Sequence, residues 1–358
     1  MRMNNKTWQY LLGLESVDIV LDWHKKLYNR ELSTRRANEI TSAAKQAKEY
    51  FRNAENAANT VRPLLTFYGI ASLARATLLL LKPGHGEESL VRGHGLETTD
   101  WSNTLSGDLS TALKSIGNLK IRTSAGLFSD FLKQTENHIC IHARSSAVDW
   151  RLSYPQPPLG VELTFEALLF RVPDLWRILP KSEIGSHFAS VNEMSYADAD
   201  GFFANVNSKQ FEAFQASYVD LGYEVTPNGD LSKIKCNSQV FDAALPQFMH
   251  AYVNKMFGSI PSLHIAKPIQ KDIRLSELAI AYMLSYFLGM LTRYFPTHWV
   301  ALHSGTKGDV LWPTVSAAQS YVETVFPEMI IELIQDKLSG AREAEVKEKK
   351  GEKGSGSD

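Results

Sequence analysis

The stretch Leu278-Ala279-Ile280-Ala281-Tyr282-Met283-Leu284-Ser285-Tyr286-Phe287-Leu288-Gly289-Met290-Leu291-Thr292 decides the fold class. It is apolar on nearly every side, the pattern of a helix surrounded by protein rather than one with a solvent face. At 15 residues, bracketed by Glu277 and Arg293, it falls short of the roughly 20 that a membrane span needs. The expectation is a core helix from Ser276 to Phe295, stopped by Pro296, with other helices gathered round it.

Outward from that segment, both ends of the chain read as helical. Trp8 to Tyr28 carries Leu11, Leu12, Val17, Val20, Leu21 and Leu27 at three- and four-residue steps. Ser33-Thr34 offers a cap for a second helix, about Thr34 to Asn59, rich in Ala, Lys and Glu. Pro63 suits the first turn of a third helix, Leu64 to Leu81, which Pro83-Gly84 ends. A last helix, Val315 to Leu338, is expected to break at Pro327.

Between the ends the pattern changes. Residues 84–122 read as a loop region, with strands at Leu119–Arg122 and Asn137–Ala143. Tyr154-Pro155-Gln156-Pro157-Pro158 excludes helix and central strand and marks a boundary. Beyond it, Leu163–Phe170 reads as helix, and Phe202–Val206, Tyr218–Thr226, Ile234–Cys236 and His264–Ile269 as strands, with a turn at Pro227-Asn228-Gly229-Asp230. The expected fold is mainly α: helical N- and C-terminal bundles with an inserted small α+β region. The expected units are an N-terminal helical domain (1–153), a middle α+β region (159–270), a C-terminal helical region (271–339) and a disordered tail (340–358).

A chain of 358 residues with 44% hydrophobic content buries a core without disulfides or a structural metal. Its net charge of −1 excludes a global field toward nucleic acid or anionic membrane. Cys140 and Cys236 read as reduced thiols, and the N-terminus lacks the apolar run of a signal peptide. A cytoplasmic location away from the membrane is expected.

Three stretches resemble the YaaC-like proteins of bacteria: Ala47-Lys48-Glu49-Tyr50-Phe51-Arg52-Asn53-Ala54 with Arg62-Pro63-Leu64-Leu65-Thr66-Phe67-Tyr68-Gly69; His94-Gly95-Leu96; and Tyr282–Tyr294 through Trp299 to Phe326-Pro327-Glu328-Met329-Ile330-Ile331. That resemblance implies no particular reaction. More distantly, residues 44–96 are similar to HEPN proteins, helical bundles of which many are metal-independent ribonucleases. The likeness implies an Arg followed four to six residues later by His, here Arg293 and His298. In such a pair Arg stabilises transition-state charge and His moves protons. The alternative for Arg293 is an interaction with the dipole of a helix end.

Other residues carry candidate chemistry. In a strand, His138, Cys140 and His142 share one face and offer zinc ligands, against the plainer reading of a half-buried strand. Arg92 and His94, among glycines, offer a phosphate- or nucleotide-binding loop, against a turn in which glycine takes positive φ. Lys25, Lys26, Arg30, Arg35 and Arg36 offer a face for RNA or nucleotide, or simply a solvated helix surface. Glu193, Asp198 and Asp200 read as a solvated loop. There is no P-loop, nucleophile elbow or zinc-protease helix, and no cofactor is expected. The reading that follows is a non-enzymatic interaction protein with a protein partner in a bacterial multi-protein system, antiphage defence being the candidate setting. The alternative is a HEPN-like ribonuclease or nucleotide-binding protein.

Overall fold

The computed structural model describes residues 5–138, 153–175, 178, 187–197, 201–248, 251–254 and 262–354. The chain is mainly α, with antiparallel sheet in its middle. Its principal helices are α1 (Asn5–Leu11), α2 (Val17–Tyr28), α3 (Thr34–Asn56), α4 (Arg62–Leu81), α5 (Leu127–Gln134), α6 (Glu277–Tyr294), α7 (Pro296–His303) and α8 (Trp312–Gly354).

The apolar segment lies within α6, where every residue from Glu277 to Thr292 is buried. Ser276 caps it by accepting the Ala279 N–H, and Glu277 and Arg293 sit at the ends that the helix dipole favours for their charges. α6 packs against α4, and Gly289 permits their close approach: a Cβ there would lie 2.8 Å from the Cβ of Phe67. The Tyr282 ring sits among Phe67, Phe128, Phe131 and Phe326, while Phe287 stacks on Phe165 at 4.0 Å. Buried Asn137 ties the start of α6 to the rest of the core. Its amide donates to the carbonyls of Pro155 and Arg274, and its oxygen accepts the Ser276 N–H.

Two expectations for the helices change. Pro327 lies inside α8 without ending it. Val325, Phe326, Met329 and Ile330 are fully buried around it, and burying such side chains at about 1.5–3 kcal/mol each outweighs a proline penalty of about 3 kcal/mol. Residues 340–354, expected to be disordered, continue α8 to Gly354. Ala, Glu and Lys are residue types of high helix propensity.

A three-stranded antiparallel sheet, in the order β1 (His94–Thr99), β2 (Lys120–Gly126), β3 (Glu162–Thr164), leans on this core. β1 falls in the stretch read as loop, because its Thr and Gly give no apolar alternation. Leu163–Phe170, read as helix, is divided at Thr164, which ends β3 and caps the short helix Phe165–Leu169.

A six-stranded antiparallel sheet runs in the order β6 (Glu224–Asn228), β7 (Leu231–Cys236), β5 (Gly201–Asn207), β4 (Phe188–Ala197), β9 (Ser262–Ala266), β8 (Ala251–Asn254). Phe202, Ala204, Val206, Ile234 and Ile265 join Phe211, Tyr218 and Phe241, from helices Ser208–Phe211, Gln215–Asp220 and Ser238–Phe248, and Phe214, from the turn before the second of them, in a separate hydrophobic cluster. Tyr218, expected in a strand, is on the second of those helices, where its ring reaches this cluster. Pro227 stands on edge strand β6, where its missing N–H costs no ladder bond. The larger cluster gathers buried residues from both ends of the chain, Trp8 to Ile334, together with Val161 to Leu175.

Among the described residues α4 is long and apolar enough to cross a membrane, and α6 with α7 qualifies only as a pair bent by 108°. In the fold α4 is largely enclosed by α3, α5 and α6.

Candidate functional site: a groove between an edge strand and the core helix

The site begins with glycines. The register of β1 against β2 shifts between His94 and Leu96, and Gly95 takes φ +77° at that bulge. A Cβ on Gly95 would come within 2.7 Å of the Phe128 nitrogen, and one on Gly126 within 2.4 Å of the Gly95 nitrogen. Beside this loop the Leu127 N–H donates to the Gly93 carbonyl at 3.0 Å. Bulges re-aim side chains. Here the half-buried His94 ring lies 5.2 Å from the ring of Phe67 and 5.9 Å from that of Tyr286.

Burial lowers the pKa of His94, and the nearby positive charge of Arg293 lowers it further, so the ring is neutral at pH 7. Arg293 is exposed on the last turn of α6. Its Nη1 donates to the Tyr68 hydroxyl at 3.1 Å, and its guanidinium lies 5.1 Å from the Tyr294 ring centre. His94 and Arg293, taken from two separate readings of the sequence, thus share one neighbourhood. His298 stands beyond the 108° bend on α7, its ring edge-on to Phe295 at 5.9 Å. No hydrogen bond joins Arg293 to His298 among the described residues. Arg92 is exposed two residues before His94.

A groove of about 860 Å³ runs between β1 and α6. One wall holds His94, Leu96, Glu97, Thr98 and Trp101, and the other Tyr286, Met290, Tyr294 and Phe295. Successive β1 residues line it although their side chains alternate between faces, so the groove borders the backbone edge of the strand. β1 is an edge strand, with β2 on its other side. Glu97 pairs with Arg122 at 3.1 Å, and burial pushes the Tyr286 hydroxyl up to about 12, keeping it a donor at neutral pH. Tyr294 is 56% exposed. Tyr286, Met290 and Tyr294 are not among the site residues the sequence offers, yet their four-residue spacing places them on one helix face. That signal was present but hidden inside an apolar run.

The remaining candidates lie elsewhere. His138 is buried and its Nε2 lies 3.1 Å from Asp336 Oδ2 of α8, while Cys140 and His142 lie outside the described residues. Among the described residues no three His, Cys, Asp or Glu form a group able to hold a metal. Glu193 accepts from Asn205 at 2.8 Å, and Asp198 and Asp200 are outside the described residues. In the basic N-terminal stretch Lys25 pairs with Glu31, Lys26 with Asp22 and Arg35 with Glu39, while Arg36 donates to the carbonyl of Lys82. Of the thiols described, Cys236 is free and buried.

No curated protein and no solved structure matches the chain. The distant likeness to HEPN proteins has no match beside it. The model of one family, described as YaaC-like protein, matches residues 14–334. That span holds α2 to α7, both sheets and both walls of the groove, and the chain is a member of the YaaC-like family.

Proposed function

We propose that this protein is a non-enzymatic interaction protein, and that the groove beside β1 receives an extended segment of a protein partner. The observation that carries this reading is an edge strand bordering an open groove with an aromatic and apolar floor. An added strand gains main-chain hydrogen bonds from such an edge, and its alternate side chains enter the pocket. Met290, Phe295 and the exposed ring of Tyr294 suit apolar side chains at alternate positions of the partner. The setting that goes with this reading is a bacterial multi-protein system such as antiphage defence, in cytoplasm.

A photo-crosslinking amino acid in place of Thr98 tests it in living cells. The expected result is one discrete protein adduct, lost when Tyr294→Ala is added while the fold, read by circular dichroism, is unchanged. Absence of any adduct, or an adduct indifferent to Tyr294→Ala, overturns the proposal.

One observation favours a second reading: His94 lines the groove, and Arg293 is exposed on the last turn of α6 close enough to lower the pKa of the ring after burial does. A phosphate-bearing ligand such as a nucleotide would meet both groups there, and the HEPN-like ribonuclease would in addition need His298 with Arg293. Arg293→Ala and His298→Ala then each abolish RNA cleavage; cleavage that persists in both removes the ribonuclease.

A further inference from the structure

A second cleft, of about 550 Å³, lies where the six-stranded sheet and its helices meet the segment leading into α6. Phe214, Tyr218 and Leu221 form one side, and Pro268, with the cations Lys267, Lys271 and Arg274, the other. Among lining residues only Asp220 carries a negative charge. The Lys267 ammonium stands 5.4 Å from the Phe214 ring centre. Arg274 is half-buried, and its Nε is buried with no hydrogen-bond partner. Among the described residues none of the three cations forms an ion pair, in a protein whose other basic side chains are widely paired.

Lys267 is half-buried and Lys271 exposed, so water hydrates both ammoniums, and together with Arg274 they give the cleft an excess of positive charge over the single Asp220. The buried Nε–H of Arg274, without an acceptor, is the polar group a ligand oxygen would satisfy. Phosphate is the group that a planar guanidinium and two ammoniums recognise together. The volume falls within the range of about 300–1,000 Å³ typical of small-molecule sites, which favour junctions between structural units. The apolar side suits a ring or hydrocarbon body next to the phosphate.

We infer that this junction cleft is a binding site for a phosphate-bearing small molecule with an apolar or ring body, held by Lys267, Lys271 and Arg274. It is independent of the groove beside β1, because no residue lines both.

Calorimetric titration of the full chain with a nucleoside monophosphate and, separately, with inorganic phosphate tests the assignment. The expected result is saturable binding of the nucleotide, tighter than that of inorganic phosphate. The double variant Lys267→Ala/Lys271→Ala should weaken it by about tenfold or more, the equivalent of about 1.4 kcal/mol, with the ligand-free melting temperature unchanged. Arg274→Lys, which keeps charge but loses the planar fork, should weaken it less, and Arg293→Ala should leave it intact. Absence of binding, equal affinity for inorganic phosphate, or binding indifferent to the double variant but lost in Arg293→Ala overturns the inference. The last outcome would move the ligand to the groove beside β1.

Discussion

Between α4 and α8 in the helical core, Glu323 accepts from Arg62 Nε at 2.8 Å, from Thr66 at 2.8 Å and from Gln319 at 2.7 Å. In the six-stranded sheet the prominent buried titratable group is His264, with Nδ1 3.3 Å from the Ser190 hydroxyl. Glu323 is satisfied by these three donors; His264 is kept neutral by burial, with its pKa lowered to about 4. His187, against Phe170 and Arg171, is likewise lowered to about 4, first by burial and then by the charges of Arg171 and Lys267. A histidine held neutral by burial loses stability as acid charges it. The two regions should therefore fail under different stresses.

The largest expected effect comes from opening either core. Phe287→Ala removes a fully buried ring stacked on Phe165, and Phe202→Ala one stacked on Phe241 at 4.4 Å. Each should cost about 3–5 kcal/mol, measured by urea denaturation. Hydrogen exchange then separates the regions: Phe202→Ala should speed exchange in β4, β5 and β7 and leave α4 and α6 protected. Equal loss in α6 would show that the two clusters unfold as one unit.

Acid comes next. The unfolded His264 titrates near 6.5 and the folded one near 4, so the unfolded state binds more protons between those values. Its contribution is full above pH 6.5, falls as pH drops toward 4 and levels off below. The sheet should lose about 2–3 kcal/mol across that window, read as exchange in β4 and β9. His264→Asn should flatten the slope, and an unchanged slope would assign the acid response to another group. Smallest is Lys26→Ala, which breaks an exposed pair with Asp22. It should change the unfolding free energy, measured in urea, by less than about 0.5 kcal/mol.

The helices were legible because their signals are local. The fifteen apolar residues, the caps at Ser33 and Ser276, and the stops at Pro83 and Pro296 act within a turn or two of where they stand. β1 was not legible: its Gly and Thr become a strand only because β2 offers a partner and Gly126 makes room for the bulge. Of the candidate site, His94 and Arg293 were each visible as residues, but nearly two hundred positions separate them. Lys267, Lys271 and Arg274 showed no motif, since their common cleft is closed by helices some fifty residues earlier.

The sequence by itself determined that α6 would be buried and that helix would dominate both ends, since hydrophobic periodicity and capping are properties of neighbours along the chain. Only the tertiary structure decided that His94 lines a groove beside α6 near Arg293, and that a 108° bend separates the helices bearing Arg293 and His298. Proximity across a fold depends on how faces pack, as where Gly289 lets α6 close on Phe67, and no local pattern encodes which distant side chains that packing brings together.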